Sequence, residues 1–98
     1  MNVGQKIRAI RESEGLTRDD FSEMTDTPVG TLRRYETGRI EKVGGDILFK
    51  IAQHPRLKKY TMWLMTGETN EAAGQISPSL SLDGLESIST RQKRLKIG

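Results

Sequence analysis

The stretch that most constrains this chain is residues 17–38, which hold two short helical patterns split by Asp26-Thr27-Pro28. Thr17, with Asp20 three residues later, has the form of a capping box at a helix start. Phe21 and Met24 give the first segment an inward face. Asp26 tolerates the left-handed conformation, and Pro28 disfavours helix in the residue before it, so the first helix must end there. Thr27 is then the expected cap of the second helix, with Pro28 at its first position. Gly38 ends that helix. Helical spacing turns Leu32 and Tyr35 inward and leaves Val29, Gly30, Arg33 and Arg34 on the outer face.

The rest of the chain supplies helices to pack against this pair. Asn2 and Gln5 form a second capping-box pattern. Val3, Ile7 and Ile10 line one face of a first helix that ends near Gly15. Leu16 packs at the junction. Residues 39–45 read as a loop from their glycines, anchored by Ile40 and Val43. Asp46 is expected to cap a fourth helix over 47–53 that buries Ile47, Leu48, Ile51 and Ala52. His54-Pro55 stops it. A fifth helix is expected from Pro55 to just before Gly67, with Leu57, Tyr60, Trp63 and Leu64 on its buried side. The expected architecture is all-α, a compact five-helix domain over residues 1–67. Residues 68–98 follow as a Ser-rich tail.

The tail is rich in Ser, Gly and Ala, and disorder is its favoured reading. Two patterns argue the other way. Ser79-Leu80-Ser81-Leu82 alternates like a strand. Leu85, Ile88, Gln92 and Leu95 fall at helical spacing behind a cap at Asp83. Short elements of either kind are marginal without packing partners.

Charge is unevenly spread. Residues 1–40 carry seven basic and seven acidic side chains, and residues 41–67 carry five basic and two acidic. Residues 68–90 hold four acidic and no basic side chains, whereas 91–98 hold four basic and no acidic ones. The net charge of +3 and a pI near 9.4 permit nucleic-acid binding without requiring it. With no cysteine, neither a disulfide nor a thiolate metal site can form. His54 is the only histidine, too few for a metal site. Asp19-Asp20 suits a helix first turn, where negative charge complements the dipole. Nothing places Ser, His and Asp as a triad. No catalytic, metal or cofactor site is therefore expected. Without a signal peptide or an apolar run of spanning length, a cytoplasmic protein is expected.

Leu16-Thr17, Thr31-Leu32 and Arg34-Tyr35-Glu36-Thr37-Gly38 resemble the Cro/C1-type helix-turn-helix proteins of phage repressors. Tyr60 through Glu68, with Trp63-Leu64 and Gly67, is similar to the closing signature of that family. The resemblance covers roughly residues 2–68. It implies that the helix over 29–37 lies in the major groove of DNA and that Val29, Gly30, Arg33 and Arg34 face the bases. An Arg at 34 can reach O6 and N7 of guanine; Arg33 can do the same or clamp a phosphate; Val29 can pack on a thymine methyl. Two positions depart from the family, which often has polar side chains where this chain has Val29 and Gly30. The resemblance also names Arg18, Thr31, Thr37 and Arg39 as phosphate contacts. Lys42 joins them by charge and place alone. Such contacts position without reading sequence.

The family mechanism is a homodimer on a two-fold double-stranded operator. Met62 and Met65, lying off the Leu57/Tyr60/Leu64 stripe, are the expected dimer contacts. The basic run Arg91 to Lys96 is a second DNA arm, a partner for the acidic tail segment, or a solvated end. The expected function is a transcriptional repressor of phage type. Two alternatives stay open. One is an antitoxin whose tail, residues 68–98, binds a protein partner. The other is an adaptor that kept the fold and lost DNA binding.

Overall fold

In the computed structural model, which describes residues 1–78, five α-helices surround one apolar centre. They are α1 (Val3–Ser13), α2 (Arg18–Thr25), α3 (Val29–Glu36), α4 (Gly45–Gln53) and α5 (Thr61–Thr66). Single 3-10 turns at Lys58–Tyr60 and Glu71–Ala73 flank α5. The described residues form no strand, only an isolated antiparallel bridge between Asn70 and Gln75. The strand-like pattern at 79–82, the helical spacing at 85–95 and the basic run at 91–96 lie outside the described residues.

The first two helices start as their sequences dictate. Asn2 Oδ1 accepts the Gln5 N–H at 2.9 Å, and Gln5 Oε1 accepts the Asn2 N–H at 3.0 Å. Thr17 and Asp20 exchange the same pair of bonds, at 3.0 and 3.2 Å. Each box satisfies two backbone N–H groups that a helix start leaves without partners.

Every helix sends side chains to the centre: Ile7 and Ile10, Phe21, Leu32, Ile47 and Ile51, and Leu64, joined by Leu57 and Tyr60. Burying each such aliphatic or aromatic side chain contributes roughly 1.5–3 kcal/mol relative to leaving it in water. Val3, Leu16, Met24, Tyr35, Val43, Leu48 and Trp63 close the rim. The α1–α3 crossing is tighter than any side chain allows. A Cβ at position 4 would fall 1.9 Å from the Tyr35 carbonyl oxygen, so glycine is required there.

Several boundaries differ from expectation. Helix α3 starts at Val29 with Pro28 as its cap residue. The Thr27 hydroxyl donates back to the Thr25 carbonyl at 3.2 Å instead of capping forward. Helix α4 starts at Gly45, and Asp46 lies inside its first turn, where its charge still favours the dipole. No single helix runs from Pro55 to Thr66. The N–H groups of Leu57 and Lys58 both donate to the His54 carbonyl, and His54 Nδ1 takes the Arg56 N–H at 3.1 Å. This side-chain acceptor holds a turn, and helix resumes only through the 3-10 turn at 58–60. Ala52, expected in the core, is half-buried.

Residues 69–78 fold back on the domain. The Ile76 N–H donates to the Lys59 carbonyl at 2.9 Å. The Gln75 side chain accepts the Met62 N–H at 2.9 Å and donates to the Lys58 carbonyl at 3.1 Å. These bonds satisfy backbone groups that short helical turns leave open. No described helix is long and apolar enough to cross a membrane.

Candidate nucleic-acid interface

The α2–α3 turn is held from both sides. Asp26 takes the left-handed conformation (φ 53°), as its residue type allows. The Thr27 N–H donates to the Ser22 carbonyl at 3.0 Å, and Ser22 Oγ donates to the Thr27 carbonyl. Thr25 Oγ1 donates to the Phe21 carbonyl at 2.7 Å. With Phe21 and Leu32 in the same core, this fixes the direction of α3 relative to α2.

Helix α3 divides into two faces. Leu32 and Glu36 are buried and Tyr35 is half-buried, while Val29, Gly30, Arg33 and Arg34 are exposed. Gly30, Arg33, Arg34, Thr37 and Arg39 line one shallow concavity. All five are residues nominated from sequence, and three are cations. Gly38 (φ 82°) ends the helix and turns Arg39 beside it. On the α2 side a separate concavity is lined by Asp19, Asp20, Glu23 and Asp26 with Ser22, Thr27 and Pro28. A polyanion is thus attracted to the α3 face and repelled from its α2 neighbour.

Glu36 is the residue that sequence reasoning missed. Its side chain is fully buried and carries two arginines. Arg11 grips it with two prongs, Nε to Oε2 at 2.9 Å and Nη2 to Oε1 at 3.0 Å. Arg18 Nε reaches Oε1 at 3.0 Å. Arg11 Nη1 also donates to the Leu16 carbonyl at 2.9 Å. One carboxylate on α3 therefore ties α1, α2 and the α1–α2 loop together through charge-assisted bonds. A signal was available: Glu36 follows Leu32 by four residues, on the same inward side.

The other nominated residues are placed as follows. Thr31 is half-buried, and Arg39 and Lys42 are exposed in the loop after α3. Thr37 Oγ1 donates to the Arg33 carbonyl at 2.9 Å, which commits its proton to the helix end. Arg18 has Nε on Glu36 and its side chain is 29% exposed, leaving its outer end accessible. Met65 is 60% exposed, whereas Met62 is half-buried, with its backbone N–H bonded to the Gln75 side chain. Trp63 is half-buried with Lys6 Nζ 5.5 Å from its ring centre. Lys6 also donates to the Trp63 and Leu64 carbonyls.

A second charged cluster sits away from α3. Glu14 accepts from Arg56, Lys59 and Tyr60 at 2.8, 3.0 and 2.6 Å. Burial pushes its carboxyl up, but these hydrogen bonds and the Lys59 charge outweigh that and hold it below its ordinary value. Burial, and then the bond to Glu14, push the Tyr60 hydroxyl up to about 12. Among the described residues no group of His, Cys, Asp and Glu could hold a metal ion.

A helix-turn-helix family model matches residues 7–58, which takes in α2, α3 and their turn together with most of α1 and all of α4. The chain belongs to the Cro/C1-type helix-turn-helix family. It is similar to Repressor protein C of Escherichia phage P2, with 35% identity over 96 residues. That match covers 98% of this chain and 96% of the phage protein. The chain presents the outer face of its second motif helix to solvent. Its cationic concavity lies on that helix and on the residues just after it.

Proposed function

We propose that this chain is a sequence-specific transcriptional repressor of phage type, acting as a homodimer on a two-fold operator. The observation that carries the reading is the outward face of α3. Arg33, Arg34 and Arg39 surround one concavity there, on a helix whose inner face is locked by Leu32 and Glu36. The near full-length similarity to a phage repressor supports the same reading. In this proposal Arg34 reads guanine with two hydrogen bonds, Arg33 reads a base or clamps a phosphate, and Val29 packs on a thymine methyl. Gly30, where a would-be Cβ meets nothing within 4 Å beyond its own stretch of helix, lets DNA approach the helix backbone. Arg39, Lys42, Thr31, Thr37 and the outer end of Arg18 take phosphates. Met65 and the edge of Met62 meet a second copy, placing the two reading helices about 34 Å apart, one turn of DNA. Occupying a promoter in this way blocks transcription.

The test is fluorescence anisotropy on the DNA upstream of the protein's own gene against scrambled DNA, over a salt series. Arg34→Ala should cost about 1–3 kcal/mol on the operator and relax preference at one base position. Equal losses on operator and scrambled DNA would remove Arg34 from the reading role. Weak binding by the wild type on both would refute the repressor reading itself.

A further inference from the structure

We infer that the Tyr35 hydroxyl is a positioning group for DNA binding: it holds the loop carrying Arg39 and Lys42 in place beside α3. The inference rests on the proposed DNA-binding role and assigns Tyr35 a part beyond packing. The ring packs against the core and so accounts for an aromatic residue at this position, but not for its oxygen. That oxygen accepts the Gly44 N–H at 3.3 Å. Gly44 is the cap residue of α4 and has no side-chain bond of its own, so Tyr35 supplies an acceptor from a neighbouring helix. The loop between α3 and α4 is thereby tied at both ends. At its start the Gly38 N–H donates to the Tyr35 carbonyl at 3.2 Å, and the Ile40 N–H to the Arg34 carbonyl at 3.1 Å. At its far end stands the hydroxyl of the same tyrosine. Arg39 lies within the first tie and Lys42 between the two, both exposed. A Cβ at Gly44 would meet the Tyr35 oxygen at 3.4 Å, so the small residue also suits this approach.

The consequence is specific. The two cations follow the recognition helix rather than moving independently of it. Freeing the far end of the loop leaves their charge intact but disperses its position. A phosphate contact contributes about 0.9 to the slope of log affinity against log salt, which is roughly eightfold in affinity at 0.1 M salt.

The test is Tyr35→Phe, which keeps the ring and removes only the oxygen. Anisotropy is read on operator and scrambled DNA across the salt series, at a temperature where circular dichroism shows the variant fully folded. The expected result is a slope smaller by about 1 and a loss of roughly fivefold to tenfold at 0.1 M salt, equal on both DNAs. Lys42→Ala added to Tyr35→Phe should cost less than Lys42→Ala alone in the wild type. A folded Tyr35→Phe variant with wild-type slope and affinity overturns the inference while leaving the repressor reading standing. A wild type that binds neither DNA removes both.

Discussion

Replacing Glu36 by Gln should remove a large share of the domain's stability. The substitution keeps shape and removes only charge, so what it costs is electrostatic. Three charge-assisted hydrogen bonds of 2.9–3.0 Å end on this carboxylate, and its side chain has no solvent exposure. With Gln, an NH2 group must face an arginine donor, and the positive charges of Arg11 and Arg18 lose their counter-ion. Breaking a buried pair by removing one partner costs about 3–5 kcal/mol. A domain of this size has a total stability of about 4–12 kcal/mol, at 0.05–0.15 kcal/mol per residue. The loss therefore takes about a quarter or more of it, and Tm should fall by at least about 12 °C, at 4–8 °C per kcal/mol. The assay is urea unfolding followed by circular dichroism at pH 7, beside a thermal melt. Glu12→Gln is the control, because the Arg8–Glu12 pair is half-exposed on both sides and should cost less than about 1 kcal/mol. A Glu36→Gln midpoint within about 1 kcal/mol of wild type would show that this carboxylate does not hold the three helices together.

Gly4→Ala should destabilise the fold by several kcal/mol, because its Cβ collides with backbone that cannot yield; a melt unchanged from wild type would contradict the close crossing. Gly30→Ala should do the opposite, raising stability by up to about 1 kcal/mol in an open helical position. If Gly30→Ala also lowers operator affinity in anisotropy, DNA approaches the backbone there; unchanged affinity would exclude that approach. Tyr60→Phe should alter the alkaline limb of stability. The hydroxyl titrates near 10 when unfolded and about 12 when folded, so its contribution is complete below pH 10 and is lost as pH rises through 12. The variant should lack that decline in urea titrations between pH 10 and 12, and an identical decline would place its origin elsewhere.

Much of the fold was legible because its signals are local. Two capping boxes, a left-handed Asp and a helix-ending Gly each depend on residues within a few positions, and periodicity placed Ile7, Ile10, Phe21 and Leu32 in the core. The outer face of α3 followed from the same periodicity. What sequence could not reveal was non-local. Helical spacing puts Glu36 on the inward side with Leu32, but its partners Arg11 and Arg18 come from two other helices. Gly4 reads as part of a cap until α3 crosses over it. The return of Gln75 and Ile76 onto 58–62 depends on backbone partners that composition does not announce. The break at Pro55 was expected to begin a helix, and a histidine nitrogen two residues before Arg56 made it a turn instead.

The division of α3 has a consequence for how such a protein can change. The residues that attach this helix to the domain are Leu32, Tyr35 and Glu36, and the four that look outward are Val29, Gly30, Arg33 and Arg34. No residue serves both purposes. The outer four can therefore be rewritten for a different target while the attachment stays as it is. If the proposed reading role of these four holds, an operator preference is inherited separately from the scaffold, and a lineage can exchange one without rebuilding the other.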